Sequence, residues 1–206
     1  QQQISLSASG LVEAPQDWLT VRMGLTREGT DAAAVQSQLR AAIDAALTTA
    51  RAQARSRQLE VRSGAFGVSP RYGRDGKING WQGSAEVVLE GRDVPLITAT
   101  AGKLSTLSVS SMGFSLSREA RRQLESEVQA QAIERFRARA AEVTKAFGFS
   151  SYTLGAVSIS AADEGVRPMP RMMAMEAKAA MADAPLPVEA GTDTVSVTVS
   201  GSINVR

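Results

Sequence analysis

Residues 195–205, VSVTVSGSINV, alternate apolar and polar side chains from end to end. Valine or isoleucine occupies positions 195, 197, 199, 203 and 205, and small polar residues lie between them. Successive side chains of a strand point to opposite faces, so this alternation is typical of a strand with one buried face. The closing segment therefore predicts a β-strand that packs its valines on a hydrophobic core.

Similar strand patterns occur through the rest of the chain, at residues 4–8, 19–25, 59–61, 81–89, 107–116 and 157–161. The pattern shifts phase near Gly64, which indicates a β-bulge, and it changes face at Ser110 and Ser111. Asp75 and Gly76 lie between two of these strands and are typical of a hairpin tip. With residues 195–205, the sequence predicts seven strands.

Two long segments instead repeat their apolar residues every three or four positions, which is the period of an amphipathic helix. The first helix is predicted from Thr30, as its N-cap, to Arg57, and its many alanines favour close packing against a sheet. The second is predicted from Ser117, also an N-cap, to about Phe147, where Gly148 is typical of a helix end. Each helix has one apolar stripe to bury.

The predicted order of elements is β-β-α-β-β-α-β-α-β-β, with a short third helix over residues 93–104. Runs of strands interrupted by helices, rather than strict alternation, favour an α+β fold. We expect a largely antiparallel, twisted sheet or sheets, packed by two long helices and one short helix. The length allows a single domain over residues 1–206 or two interlocked α+β subdomains. A loop rich in proline and methionine, residues 163–190, separates the last two strands.

Composition excludes some classes of function and favours a compartment. The formal net charge is +2 and basic residues are mixed with acidic ones, which disfavours nucleic-acid binding. No apolar run approaches eighteen residues, so we expect no membrane span. The chain starts at Gln1 with a strand following at once, and it has no cysteine. These features favour a periplasmic or secreted protein whose signal peptide has been removed before Gln1.

Few residues suited to catalysis are present. With no histidine and no cysteine, the commonest general bases, thiol nucleophiles and zinc ligands are missing. Residues 100–106, TAGKLST, lack the first glycine and the final hydroxyl of a phosphate-binding loop and are interpreted as a helix end. Glu86 and Glu90 share one strand face and could form an acid pair, although a solvated surface is the favoured interpretation. We expect no enzymatic activity, no catalytic residue and no cofactor.

Methionine is concentrated in one segment, since five of the seven lie within residues 166–190. Three hypotheses fit this pattern. The favoured one is a contact surface for protomers or partners, because methionine side chains adapt to varied surfaces. The prolines of the segment instead favour a connector. Thioether sulfur also suits Cu(I). The contact residues would be Met172, Met173, Met175 and Met181, and the copper ligands Met169, Met172, Met173 and Met175.

The order of four segments resembles a known family. Residues 4–25 begin ISLSASG and include the turn residues Pro15 and Asp17, and residues 114–160 contain the second long helix and a strand. The loop rich in proline and methionine follows, and residues 195–205 close the chain. Together they resemble the SIMPL-domain family of bacterial secreted and periplasmic proteins, which includes the periplasmic immunogenic proteins. The matching positions at the helix end and in the following strand are Ala138, Arg139, Ala140, Ala141, Glu142, Ala146, Gly148, Gly155, Val157 and Ile159. One departure is in the turn, where Gln16 separates Pro15 from Asp17. The family often has the proline and the aspartate adjacent to each other.

The resemblance implies an envelope-located α+β protein, and some family members build ring-like or channel-like homo-oligomers. It implies no established catalytic residue. We therefore expect a non-enzymatic periplasmic or cell-envelope protein that forms a homo-oligomer or binds another envelope component, with a role in envelope or oxidative stress protection. The alternative is a soft-metal or oxidant-buffering protein that uses the methionines of residues 163–190.

Overall fold

Seven strands and three helices make up residues 2–162 and 189–206, which are the residues that this computed structural model describes. Their order along the chain is β1 (Gln2–Pro15), β2 (Trp18–Gly29), α1 (Ala32–Arg51), β3 (Glu60–Tyr72), β4 (Ile78–Gly91), α2 (Val94–Lys103), β5 (Ser108–Ser115), α3 (Arg118–Ala146), β6 (Tyr152–Ala162) and β7 (Thr192–Val205). This order and the α+β class with antiparallel pairing confirm the prediction from the sequence.

The strands form two antiparallel sheets, and each sheet belongs to one of two compact units. The four-stranded unit comprises residues 17–115 and, among the described residues near the end of the chain, Glu189; its strand order is β3-β4-β2-β5. The three-stranded unit comprises residues 2–16, the described residues from 116 to 162, and residues 190–206, with the strand order β1-β7-β6. Along the sequence, the segments of the three-stranded unit therefore both precede and follow residues 17–115.

Helix α1 covers the core of the four-stranded unit. Its apolar stripe includes Val35, Leu39 and Ile43, which are buried in one cluster with Val21 and Leu89 of the sheet. The short helix α2 adds further buried residues to the same cluster. Because each fully buried aliphatic side chain contributes about 1.5–3 kcal/mol, this stripe is a main source of the unit's stability.

The ends of α1 differ from the prediction. Asp31, not Thr30, is the N-cap, because its carboxylate accepts a hydrogen bond from the Ala34 N–H at 2.9 Å. The helix ends at Arg51 rather than Arg57, since the chain must turn there to bring the buried Leu59 back towards the core. A pair of main-chain hydrogen bonds between residues 55 and 59 closes this turn.

The predicted irregularities of the strands are confirmed. The register of β3 on β4 shifts between Ser63 and Phe66, around Gly64. The register of β2 on β5 shifts opposite Ser110. At the tip of the β3–β4 hairpin, Gly76 has a φ of 75°, a left-handed conformation that glycine adopts without strain.

Helix α3 covers the core of the three-stranded unit with Val128, Ala132 and Phe136. Ser117 is its N-cap, as predicted, and accepts a hydrogen bond from the Ala120 N–H at 3.2 Å. The helix lies very close to β1, where a Cβ added at Gly10 would be 2.8 Å from the Val128 carbonyl oxygen. Glycine in β1 therefore allows the helix and the sheet to pack closely.

Candidate association site

The two glutamates considered for an acid pair lie on the face of β4 that is turned away from α1. Glu86 is paired with Arg22 at 3.6 Å and accepts a hydrogen bond from the Ser110 hydroxyl at 3.3 Å. Glu90 is paired with Arg62 at 2.9 Å. Four residues of strand separate their Cα atoms by about 13 Å. Each carboxylate therefore has its own arginine, and the two do not form a shared acid pair.

The hydrogen-bonded ion pair between Glu90 and Arg62 changes the pKa of its arginine. The hydrogen bond from Arg62 to Glu90, and then the negative charge of Glu90, raise the pKa of Arg62 above its ordinary value. Partial burial acts in the opposite direction. Since arginine is already fully charged at neutral pH, the pair behaves as a structural ion pair on a strand face.

The structure describes one of the other predicted sites and leaves another outside the described residues. Residues 100–106 cover the end of α2 and the turn after it, which confirms the interpretation as a helix end. The five methionines of the predicted contact surface and copper site fall within residues 163–188 and lie outside the described residues. The contact, connector and copper hypotheses thus stay predictions.

Within residues 2–162 and 189–206, no three acidic side chains come close enough together to hold a metal ion. In the same residues, none of the three helices has both the length and the apolar character needed to cross a bilayer.

Strand β6 exposes an unusual amount of apolar surface. It lies at the edge of its sheet, and in the described part of the chain it pairs with β7 alone. Leu154 and Ile159 are opposite Ile203 and Val199 of β7, so they face the side of the sheet on which α3 packs. Even so, Leu154, Val157 and Ile159 are 56%, 44% and 47% exposed, respectively.

The width of α3 explains this exposure. A helix with its side chains is about 10 Å wide, and neighbouring strands are about 4.8 Å apart, so one helix covers about two strands. Helix α3 packs mainly on β1 and β7. The third strand, β6, therefore keeps an apolar side that the described residues of the unit do not bury.

Beside this strand, a groove of about 620 Å³ is lined by Ala130, Ile133, Glu134, Arg137 and Ala138 of α3 and by Tyr152 of β6. The Tyr152 hydroxyl donates a hydrogen bond to the Arg137 carbonyl oxygen at 3.4 Å, which links β6 to α3 at the groove. The groove is thus lined by both apolar and charged side chains, and Tyr152 belongs to the same strand as the exposed Leu154, Val157 and Ile159.

Strand β6 also lacks most of the features that prevent edge strands from pairing with other chains. Edge strands are commonly protected by charged residues, proline or short length. Residues 152–162, YTLGAVSISAA, contain no charged residue and no proline. A bulge does interrupt the strand, between Leu154 and Val157, and the stretch after it pairs regularly with β7 up to Ala162.

The other three edge strands are protected. Strand β3 contains Glu60, Arg62, Pro70 and Arg71. Strand β5 is only 8 residues long and is irregular at its pairing with β2. Two arginines of α3 donate to main-chain carbonyls of β1, Arg135 to Ser9 at 2.8 Å and Arg139 to Ser7 at 3.1 Å.

The sequence predicted a strand at residues 157–161 but assigned the contact surface to the methionines instead. The signal in the sequence that could have indicated this surface is the lack of charged residues in the strand. Its position at the edge and beyond the reach of α3 depends on strand order, which the periodicity of a single strand does not reveal.

A family model described as "SIMPL: Protein of unknown function (DUF541)" matches residues 4–203. Among curated proteins, none matches the chain. The matched range includes strands and helices of both units.

Proposed function

The chain belongs to the SIMPL family, whose function is unknown, and from that premise we propose that it is a non-enzymatic association protein of the bacterial cell envelope. The resemblance noted in the sequence is thereby confirmed at the level of the family. Family membership supports the periplasmic or secreted location that the resemblance implies. The pairing of Glu86 and Glu90 with separate arginines supports a role without catalysis.

One observation carries the proposal, namely the uncharged edge strand β6 with its exposed apolar side chains. A strand from another chain can add to such an edge through main-chain hydrogen bonds, while side-chain contacts give specificity. Here the added strand would lie next to residues 157–162, and its apolar side chains would cover Val157 and Ile159. The groove beside α3 would accept a longer side chain of the partner.

The energies indicate that the apolar contacts decide the affinity. A six-residue partner strand forms about six main-chain hydrogen bonds, each with a net contribution of about 1 kcal/mol. Association costs roughly 4–15 kcal/mol in lost freedom. The hydrogen bonds alone therefore do not hold a complex together, and burial of Leu154, Val157 and Ile159 at about 25 cal/mol per Å² has to add to them.

Photo-crosslinking tests this proposal in cells. We expect p-benzoylphenylalanine at position 159 of the exported chain to give a discrete cross-linked protein on illumination. The matched control is the same substitution at position 66, because Phe66 is 48% exposed on edge strand β3 of the other unit. No product from position 159, or equal products from both positions, would contradict association through β6.

The methionines carry the second candidate function, which is Cu(I) binding or oxidant buffering. The supporting observation is the concentration of five methionines within residues 166–190. Anaerobic titration with Cu(I) should then saturate at a defined ratio, and the triple variant Met172→Leu/Met173→Leu/Met175→Leu should lose this binding. Binding that the triple variant retains would rule the site out.

A further inference from the structure

We infer that the three-stranded unit binds a neutral saccharide on the face of its sheet that is turned away from α3, with Ser202 at the floor of the site. Val195, Val197 and Val199 of β7 pack in one cluster with α3, so the residues between them face the other side of the sheet. The association proposed above uses an edge of this sheet. A site on its face is therefore a separate property of the molecule.

A hollow of about 660 Å³ opens on this face and spans all three strands. Ligand sites commonly have volumes of about 300–1,000 Å³, so the hollow has room for a small molecule. Ser7 lies opposite Ser200, and Ser200 lies opposite Ser158, which places hydroxyl groups side by side across the sheet. The polar residues that line the hollow are Gln3, Ser5, Ser7, Ser158, Ser200 and Ser202.

The bulge of β6 gives the hollow its shape, since Ala156 of the bulge is one of the lining residues. A Cβ added at Gly155 would collide with the Ser202 hydroxyl. A Cβ added at Gly201 would be 2.6 Å from the Ala156 carbonyl oxygen. Because neither glycine has a side chain, the bulge packs directly on β7, and the Ser202 hydroxyl lies next to it.

Ser202 has a hydroxyl group that the fold does not use. The residue is only 8% exposed, and among the described residues its hydroxyl has no hydrogen-bond partner, although buried hydroxyls normally have one. The described part of the chain contains no fully enclosed side-chain oxygen or nitrogen without a partner, so the Ser202 hydroxyl is reached from the hollow. By contrast, the hydroxyls of Ser9 and Thr198 on the same face bond to each other at 2.9 Å. Ser202 thus offers a donor and an acceptor to a ligand in the hollow.

The lining selects a neutral ligand that both donates and accepts hydrogen bonds. Each serine hydroxyl is one donor and two acceptors. None of the described residues that line the hollow is charged, so nothing there offsets the charge of a phosphate or a nucleic acid. An extended peptide would find no main-chain partners, because β7 already pairs on both sides, with β1 and β6. Sugar hydroxyls meet these requirements, and the C–H groups of a sugar ring can cover Ala156 beside them.

This lack of charge is not shared by the other sheet. On the face of the four-stranded sheet that is turned away from α1, Glu86 and Glu90 pair with Arg22 and Arg62. Those carboxylates and guanidinium groups already have partners in the protein. The uncharged hydroxyls around Ser202 instead leave hydrogen-bonding capacity for a neutral ligand.

Titration of the purified full chain with two neutral tetrasaccharides, cellotetraose and chitotetraose, tests for the site. We expect at least one of them to bind saturably, with shifts of amide signals in NMR spectra at residues 5–7, 156–158 and 200–202. Because neither the sugar nor the lining contributes a charge, the affinity should be the same between about 0.05 and 0.5 M NaCl.

Ser202→Ala distinguishes a ligand contact from a structural role. The variant should bind the tetrasaccharide about three to ten times more weakly, since one hydrogen bond is lost. Its melting temperature should not fall, because the hydroxyl has no hydrogen bond to the described residues. Ser7→Ala/Ser200→Ala removes two opposed hydroxyls from the hollow and should weaken binding at least as much. The matched control is Ser9→Ala, whose hydroxyl bonds to Thr198 outside the hollow, and it should bind like wild type.

The saccharide site is excluded if the full chain binds neither tetrasaccharide at millimolar concentration, or if Ser202→Ala and Ser7→Ala/Ser200→Ala both bind as tightly as wild type. A lower melting temperature of Ser202→Ala would show that its hydroxyl has a structural partner. Nuclear Overhauser contacts between the hollow and residues 163–188 in the free chain would show that the chain's own segment occupies it. Each result contradicts saccharide binding and leaves cross-linking from position 159 as a separate test of association.

Discussion

The four-stranded and three-stranded units solve the same packing problem with different numbers of helices. In the four-stranded unit, α1 and α2 both pack on the sheet, and even Val61 and Val68 on edge strand β3 join the core. Among the described residues of the three-stranded unit, α3 covers two strands, and Val157 and Ile159 on β6 remain about half exposed. The contrast teaches that one helix covers about two strands of a sheet, so a third strand at the edge keeps exposed apolar side chains.

The largest expected effect comes from removing the buried aromatic side chain of α3. Phe136 is 2% exposed, so Phe136→Ala should lower the free energy of unfolding by about 3–5 kcal/mol, through lost burial and an unfilled cavity. Urea denaturation measures the loss, and hydrogen exchange locates it. We expect faster exchange in residues 116–146 and little change in residues 17–115.

Leu39→Ala is the matched change in the four-stranded unit, with an expected loss of about 2–5 kcal/mol and faster exchange confined to residues 17–115. Loss of protection in both units from either substitution would contradict the comparison, because it would mean that the units unfold together.

Alanine substitutions at two glycines should have smaller effects on stability, and the two effects should differ. Gly10 of β1 is in a crowded position, whereas Gly67 of β3 is not. Gly10→Ala brings a Cβ to 2.8 Å from the Val128 carbonyl oxygen, and moving α3 away should cost about 1–3 kcal/mol. Gly67→Ala has no atom within 4 Å of the new Cβ, so it should be neutral or stabilise by up to about 1 kcal/mol. Thermal unfolding measures the melting temperatures of both variants. Equal shifts in the same direction would contradict the expected difference between the two glycines.

The smallest expected effect is at the ion pair of the four-stranded unit. Arg62→Met should lower the free energy of unfolding by no more than about 1 kcal/mol, because Arg62 and Glu90 form a partly exposed pair. The raised pKa of Arg62 means that its contribution is complete below the ordinary arginine value and is lost only as pH rises above it.

Urea denaturation of wild type and Arg62→Met at pH 6 and pH 9 checks this expectation. The difference in stability between the two chains should be equal at both values. A difference that disappears at pH 9 would show that another group titrates in this pair.

Local features of the fold could be predicted from the sequence because they depend on residues that are close together in the chain. The alternation in residues 195–205, the N-cap at Ser117 and the glycine-containing hairpin tip at Gly76 each follow from side-chain direction or backbone freedom within a few positions. The end of α1 was predicted wrongly at Arg57, since the helical period continues through Ala54 while the buried position of Leu59 requires an earlier turn.

The exposed position of β6 could not be predicted from the sequence in this way. Val157 and Ile159 alternate with serines just as Val197 and Val199 do, and both patterns predict a buried strand face. Only the position of each strand in the sheet distinguishes them, because β7 lies in the centre under α3 and β6 lies at the edge.

The sequence by itself determined the number, type and order of the elements and the family to which the chain belongs, because periodicity and capping act over short distances along the chain. The tertiary structure decided which strand lies beyond the reach of α3 and which edge the arginines of α3 contact. Those outcomes depend on distances between residues such as Arg135 and Ser9, which are 126 positions apart in the chain and are brought together only by packing.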